Sequence, residues 1–220
     1  QTPLEFEPGS KWMYSNTGLD TLGRIVEAAS GLKFEEFLER RIFAPLGMKD
    51  SVIFPKPAHY DRIAQVYVWR EGKLALKGWP GYGGDPLNFR KGAVFSGPSY
   101  SLISTAADLA SFYQMTLNGG TFQGRRLLSP VSVKVMTALH TAGLQAGHNP
   151  GTGFGLTWEV TQTQQGTLSL QSVGTYGHGG AFGTYGWVDP AKQLVGVFLT
   201  QGGTSDARNA FVAMASASAE

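Results

Sequence analysis

Residues 6–31, FEPGSKWMYSNTGLDTLGRIVEAASG, place the tripeptide Tyr14-Ser15-Asn16 directly before a segment with helical periodicity. Apolar residues recur on one face over residues 17–30, and Gly31 can end the helix. The tripeptide alone is a weak signal, because a tyrosine packed under a turn, with Asn16 or Thr17 capping the helix, would explain it. Its meaning depends on the rest of the chain.

Helical patterns dominate the chain up to residue 150. They predict further helices over 34–42, 104–117 and 129–139. Between these helices the pattern breaks into short extended pieces, such as 64–69, and into a loop over 78–86 that is rich in glycine, proline and aromatic residues. Extended structure therefore interrupts the helical region only briefly.

After residue 150 the hydrophobic period becomes that of strands. The pattern predicts strands over 155–160, 167–172, 184–188 and 194–200. A last helix is expected over 206–217. Helices in front of an antiparallel meander predict an α+β fold. We expect a mainly helical region over 1–150 and antiparallel strands with a C-terminal helix over 151–220, together part of one domain.

The amino-acid composition argues against several classes of function for this chain. The chain has 220 residues, 42% of them hydrophobic, which is enough to build a core. Lys and Arg number 18 against 16 Asp and Glu, without a basic block, so nucleic-acid binding has little electrostatic support. The absence of cysteine excludes disulfide scaffolds, thiolate metal sites and cysteine nucleophiles. No apolar run approaches the roughly 18 residues of a membrane-spanning helix, so we expect no span in this chain.

A second motif, Gly177-His178-Gly179-Gly180-Ala181-Phe182-Gly183, precedes a segment rich in β-forming residues. Glycines of this density allow a β-bulge or a hairpin with unusual backbone angles, which needs no function. They would also allow a ligand to approach the backbone closely. Sequence spacing alone leaves both interpretations open.

Taken together, the motifs resemble those of class C β-lactamases, related esterases and D-aminopeptidases, a branch of the serine β-lactamase and penicillin-binding-protein superfamily. Tyr14-Ser15-Asn16 matches the Tyr-x-Asn segment of that family, and His178-Gly179-Gly180 stands at its Lys-Thr-Gly position. The resemblance covers almost the whole chain through short segments, namely 6–9, 45–48, 103–109, 127–130 and 153–156. It implies a β-lactamase/transpeptidase-like fold, a helical region plus an antiparallel sheet with flanking helices.

The resemblance also implies roles for individual residues. Tyr14 would be the base or proton shuttle of acyl transfer, Asn16 would orient a lysine and the substrate, and Ser15 would be structural. His178 would position substrate, and the backbone N–H of Ala181 would be one donor of the oxyanion hole. Substrate would contact the glycine edge and a tryptophan of the loop over 78–86: Gly179, Gly180 and Trp79. The other tryptophans, such as Trp12, Trp158 and Trp187, are expected in the core or the cleft wall.

Two departures from the family pattern bear on the substrate. His178 replaces a permanent cation with a group that is mostly neutral at pH 7, and Gly179 replaces a threonine hydroxyl. Lysine and hydroxyl together would hold the carboxylate of a β-lactam. We therefore expect a small ester, amide or peptide as substrate, with a true β-lactamase as the alternative.

The nucleophile is missing from its expected place, because no Ser-x-x-Lys stands near the start of an early helix. Ser30-Gly31-Leu32-Lys33 matches that pattern literally, but Gly31 is expected to break the helix between the two residues. We expect the chain to be the C-terminal majority of the enzyme, inactive alone, with the serine supplied by an N-terminal segment of the same gene or by a separate chain. A non-catalytic binding module of the same fold is the alternative.

Neither a cofactor nor a metal is implied. His59, His140 and His148 are scattered, without the spacing of metal ligands. The resemblance suggests a periplasmic or secreted protein and leaves the cytoplasm open.

Overall fold

The computed structural model describes residues 3–76, 93–202 and 205–219. Its helical elements are α1 Asn16–Ser30, α2 Phe34–Leu38, a π-helical turn Glu39–Phe43, α3 Ala44–Leu46, a 3₁₀ helix Pro57–Arg62, α4 Ala106–Leu117, α5 Pro130–Thr137, a 3₁₀ turn Gly166–Leu168 and α6 Ser205–Ser218. Its strands are β1 Tyr67–Arg70, β2 Lys73–Leu76, β3 Thr121–Phe122, β4 Arg125–Arg126, β5 Thr152–Phe154, β6 Glu159–Thr161, β7 Tyr176–Gly179, β8 Tyr185–Asp189 and β9 Leu194–Phe198.

Strands β5 to β9 form an antiparallel meander in the order β5-β6-β7-β8-β9. The strands β1 and β2 pair as a separate hairpin, and so do β3 and β4. This arrangement of helices and antiparallel sheet confirms the predicted α+β class. Within the sheet, β7 lies between β6 and β8.

Helix α4 holds the helical part and the sheet together. One of its faces packs on the sheet through Tyr113, which joins a buried cluster with Trp158, Tyr176 and Val188. Met115 belongs to a second buried cluster under α2 and α3, with Phe43, Leu46 and Met48. Helix α4 therefore packs against the sheet on one side and against the other helices on the opposite side.

The N-terminus of α4 is hydrogen-bonded to the loop that follows α3. Thr105 caps the helix by accepting from the Asp108 amide, and the buried Asp108 carboxylate accepts from the Asp50 amide and the Ser51 hydroxyl, both at 2.8 Å. Ile103 and Val52 form an isolated antiparallel bridge beside it. Asp108 therefore fixes the loop that follows α3.

Helix α1 ends at Gly31 as its sequence predicts and begins one residue before the predicted start. The Ser15 hydroxyl accepts from the Gly18 amide at 3.0 Å, and Gly31 ends the helix with a positive φ of 69°. The cap is Ser15 rather than Asn16 or Thr17, which agrees with a structural role for Ser15. The helix packs through Gly23, where an added Cβ would lie 2.1 Å from Pro98.

Three strand predictions need correction. Residues 155–158 of the predicted strand 155–160 belong to no strand and connect β5 Thr152–Phe154 to β6 Glu159–Thr161. Residues 167–172 are not a strand: their amides close local turns, and the Ser172 amide donates to the Asp189 carboxylate at 2.9 Å instead of to a neighbouring strand. The glycine-rich motif does not merely precede a strand, since Tyr176–Gly179 is β7 itself. Gly177 is required there, because an added Cβ would lie 2.4 Å from the carbonyl oxygen of Gly186.

Candidate active site

Tyr14 and His178, far apart in sequence, lie side by side. Tyr14 stands just before the N-terminus of α1, and His178 lies near the end of β7. Their ring centroids are 5.8 Å apart. The Tyr14 side chain is 36% exposed, so its hydroxyl can be reached from solvent. The fold thus brings the two predicted motifs to one place.

The His178 imidazole is held as a neutral ring. Its Nδ1 lies 2.7 Å from the carbonyl oxygen of Gly179, which can only accept, so Nδ1 carries the proton and Nε2 is left as an acceptor. Burial lowers the pKa of His178, the nearby His148 lowers it further, and the Gly179 hydrogen bond and Glu159 act in the opposite direction. The net lowering favours the uncharged ring at neutral pH.

The end of β7 that carries His178 has an open side. The register with β6 covers only Tyr176 and Gly177, whereas the register with β8 continues through Gly179. The β6-facing edge of His178 and Gly179 is therefore without a strand partner among the described residues. An extended ligand could pair with this edge.

The loop after β7 presents a backbone donor. The Gly180 amide donates to the Thr184 carbonyl at 2.8 Å and the Gly183 amide to the Gly180 carbonyl at 3.0 Å, which closes a tight turn around Ala181. The exposed Ala181 makes no hydrogen bond through its own N–H to the part of the chain that the structure describes. A free N–H at a fixed turn is what an oxyanion hole requires.

The glycines of the motif differ in the room around them. An added Cβ at Gly180 would lie 2.2 Å from the Thr184 hydroxyl, whereas at Gly179 it would meet nothing closer than 3.6 Å. Close to Gly179 lies the guanidinium of Arg208, from α6, which stands over the Tyr185 ring at 5.8 Å. Burial raises the pKa of Tyr185 to about 12, so its hydroxyl stays protonated.

The remaining predicted residues are less closely tied to this place. Asn16 is the first residue of α1, and its exposed amide makes no hydrogen bond to another described residue. Trp79 lies outside the described residues. Trp158 and Trp187 are buried core residues, 7% and 0% exposed, and Trp12 lies at the site.

His148 is a site residue that sequence reasoning missed. Its ring meets Tyr14 edge-on at 5.1 Å and His178 at 6.1 Å. Trp12 and Phe154 complete a group of rings around it, at 6.0 and 5.8 Å. We call these five residues the aromatic wall: Trp12, Tyr14, His148, Phe154 and His178.

Glu159 anchors the loop that carries His148. This β6 residue is 7% exposed, and its Oε1 accepts from the amides of His148 and Asn149, at 2.7 and 3.2 Å, and from the Thr152 hydroxyl, at 2.7 Å. Residues 144–152 of this loop line a cavity of about 420 Å³. The turn-forming Gly147-His148-Asn149-Pro150-Gly151 was the only sequence signal for this loop.

Ser30 and Lys33 do not form the Ser-x-x-Lys arrangement. Ser30 is the last residue of α1, Gly31 is left-handed, and Lys33 precedes α2 in an extended conformation. The Ser30 hydroxyl accepts from the Leu32 amide at 3.2 Å. The two side chains thus do not lie one turn apart on one helix.

The described residues form neither a metal-binding cluster nor a membrane-spanning helix. Among residues 3–76, 93–202 and 205–219, no three His, Asp or Glu side chains come together as a metal site would require. None of the helices in the same ranges is long and apolar enough to cross a membrane.

The arrangement offers a phenol, an acceptor imidazole nitrogen and a free backbone N–H around an open strand edge. These groups suit transfer of a proton and stabilisation of a developing oxyanion. A nucleophile would have to stand next to them.

Comparison with known proteins places the whole chain in one family. Residues 1–219 match the family described as Beta-lactamase. The chain is 30% identical over 214 residues to a "Putative D-alanyl-D-alanine carboxypeptidase" of Escherichia coli O157:H7, covering 91% of this chain and 47% of that protein. It is 31% identical over 202 residues to "Penicillin-binding protein 4" of Amycolatopsis lactamdurans, covering 90% and 49%. The chain thus spans about half the length of these relatives.

The fold has a close structural neighbour as well. The solved structure of "EstCE1, a hydrolase with promiscuous acyltransferase activity" superposes with a TM-score of 0.75, over 98% of this chain and 58% of that one. Sequence identity is 21%, so this likeness establishes the fold alone.

Proposed function

The chain belongs to the Beta-lactamase family, and from that premise we propose that it is the part of a serine hydrolase that manages protons and holds substrate during acyl transfer. The observation that carries the proposal is the meeting of Tyr14 and His178 at the open end of β7, with ring centroids 5.8 Å apart. Relatives named as a carboxypeptidase and a penicillin-binding protein support the same reaction class.

Tyr14 and the backbone N–H of Ala181 each act in a defined step of this reaction. A serine hydroxyl attacks the carbonyl carbon of the substrate, and Tyr14 takes the hydroxyl proton as the C–O bond forms. The Ala181 N–H donates to the oxyanion. As the tetrahedral intermediate collapses, Tyr14 returns the proton to the leaving group and an acyl-enzyme remains. Water then attacks the acyl-enzyme and regenerates the serine.

Tyr14 can act as a base only with help. A free tyrosine has a pKa of about 10, so a phenolate needs a neighbouring cation. In the proposed enzyme the lysine of Ser-x-x-Lys supplies that charge, and the Asn16 amide orients it. His178 is unsuited to this task, because burial keeps its imidazole uncharged.

We propose that the serine and its lysine stand on a segment upstream of this chain. Two observations support this: Ser30 and Lys33 do not share a helix, and the chain covers only 47% of a relative to which it is 30% identical. Exposed apolar side chains on α1 and α6 offer surfaces for such a segment: Leu22, Ile25, Phe211 and Met214 are 51%, 55%, 41% and 73% exposed. The outer edge of β9, without a strand partner in the described sheet, could take an added strand.

The substrate that fits best is a small ester, amide or peptide. With a neutral His178 and no hydroxyl at Gly179, the strand lacks the cation and donor that would anchor a β-lactam carboxylate. Arg208 stands near Gly179 and places a cation there.

The test is the intact mass of the protein after incubation with a fluorophosphonate, which labels activated serines. We expect no adduct on the 220-residue chain and a stoichiometric adduct on a longer protein that includes the upstream segment. An adduct on the chain alone, abolished by Ser30→Ala, would overturn the upstream placement. No adduct on the longer protein would contradict the hydrolase and favour a binding module.

A further inference from the structure

The proposed function leaves open which part of the substrate meets the aromatic wall. We propose that Glu159 is a positioning residue that sets His148 against Tyr14, and that the wall so formed takes an uncharged group of the ester or amide rather than a carboxylate. This inference rests on the proposed function and deepens it.

The first support is the way Glu159 is bonded. Its carboxylate takes two successive amides and a hydroxyl from the 148–152 loop, and the Asn149 side-chain amide approaches the same oxygen at 3.4 Å. Hydrogen bonds to a charged acceptor are about twice as strong as neutral ones. These bonds hold the backbone of His148 and Asn149 in place, and from that backbone the His148 ring reaches Tyr14.

The second support is the absence of a countercharge. Glu159 is buried, and no Lys, Arg or His side chain of the described residues lies within ion-pair distance of it. Its negative charge is thus neutralised only by hydrogen-bond donors. His148 itself is exposed, so solvent partly screens the repulsion that a ligand carboxylate at its ring would meet from the buried Glu159 charge.

The third support is the way charge is divided across β7. Glu159 belongs to β6, on one side of that strand, whereas Arg208 stands over Tyr185 of β8, on the other side. The groups that face His178 on the β6 side are His148, Tyr14 and Glu159, none of them a fixed cation. An anionic group would therefore bind on the Arg208 side of β7, and an uncharged group would bind at the aromatic wall.

The wall also has the shape of an apolar subsite. The Trp12 and Phe154 rings are tilted against each other at 4.7 Å, and His148 stands edge-on to both. Of the wall residues, His148 also lines the neighbouring cavity of about 420 Å³ that residues 144–152 form, and this volume lies within the size range of small-molecule pockets. Aromatic or short aliphatic groups of an ester fit this description.

The test compares two probes of one shape, benzamide and benzoate, by NMR of the histidine rings in the 220-residue chain. For the natural sequence we expect benzamide to shift the His148 signals and to bind about tenfold more tightly than benzoate. Glu159→Gln keeps an acceptor but removes the charge. It should leave the nuclear Overhauser contact between His148 and Tyr14 in place and bring the two affinities close together.

Glu159→Ala should break the contact between the His148 and Tyr14 rings and weaken both probes. Asp108→Asn is the matched control, since Asp108 is an equally buried carboxylate that holds a loop away from the site. It should leave the His148 signals and both affinities unchanged.

Three results would overturn the inference. They are no benzamide binding to the natural sequence, an unchanged preference in Glu159→Gln, and an unchanged ring contact in a folded Glu159→Ala. None of these measurements needs a nucleophile. A failed fluorophosphonate experiment would therefore count against the proposed function alone.

Discussion

The two ends of β7 differ in what surrounds them. At Tyr176 and Gly177 the strand is paired on both sides and buried, whereas at His178 and Gly179 it is paired on one side and half-buried. Gly177 has no room for a Cβ, and Gly179 has. The first end is fixed by packing and belongs to the frame of the fold. The second end has space, which suits a ligand.

Two of the buried carboxylates, Asp108 and Glu159, show the same division. Asp108 accepts hydrogen bonds from Asp50 and Ser51, which are distant in sequence, and Glu159 accepts them from the loop that shortly precedes it. The loop that Asp108 holds carries Ser51 and follows α3, and the loop that Glu159 holds carries His148 to the aromatic wall. A buried carboxylate alone therefore does not indicate a site. The role of such a carboxylate depends on which residues the loop bonded to it places near the site.

The largest stability effect should separate Gly177 from Gly179. In Gly177→Ala the new methyl would meet the Gly186 carbonyl and the Trp187 backbone, at 2.4 and 3.0 Å, so β7 and β8 must move apart. We expect the free energy of unfolding to fall by about 3 kcal/mol. Gly179→Ala should change it by less than about 1 kcal/mol. Urea titration of both variants measures the difference, and equal losses would contradict the comparison.

A double change should give the open end a carboxylate anchor. His178→Lys with Gly179→Thr places an ammonium and a hydroxyl at the strand edge, where the space around Gly179 admits a Cβ. Charged hydrogen bonds contribute about 1.5–3 kcal/mol, so binding of a penicillin to the chain should tighten by about tenfold. Gly179→Thr alone is the control and should have little effect. Unchanged penicillin affinity in the double variant would argue that no carboxylate can reach this edge.

The smallest effect concerns the protonation of His178. Its pKa in the folded chain lies below the ordinary 6.5 because of burial, so the unfolded chain takes up the proton first as pH falls. The stability that depends on the neutral ring is complete above the unfolded pKa and is lost as pH drops through the folded one. His178→Asn cannot take up this proton, so its free energy of unfolding should fall less on acidification. The difference between the two proteins should be less than about 1 kcal/mol. Urea unfolding at about pH 7.5 and pH 5 checks it; an identical loss in both proteins would show that other groups cause it.

The sequence is sufficient for the elements that follow local rules. The apolar period and the ending at Gly31 predict α1, and the cap at Thr105 predicts α4, because both signals lie within the helix itself. The same reasoning fails at residues 167–172, where alternation in the sequence belongs to turns held by Asp189. It also fails for β7, because glycines disfavour strands unless a neighbour excludes side chains.

Only some residues of the candidate active site can be predicted from the sequence, for a similar reason. Tyr14, His178 and Ala181 stand in motifs that resemble a known family, so they can be named from the sequence. His148 has no motif, and its place depends on the β5–β6 hairpin that brings Glu159 under its amide. Arg208 reaches Gly179 from α6, a contact that only the packing of that helix creates.

The most direct test of the acyl-transfer site is the acylation rate of Tyr14→Phe in a protein that includes the upstream segment, measured with an activated ester. The account predicts a loss of about 10²-fold or more with an unchanged free energy of unfolding. Tyr60→Phe, in the 3₁₀ helix Pro57–Arg62, is the control and should acylate at the normal rate. A normal rate in a folded Tyr14→Phe protein would contradict the central claim that Tyr14 moves the proton.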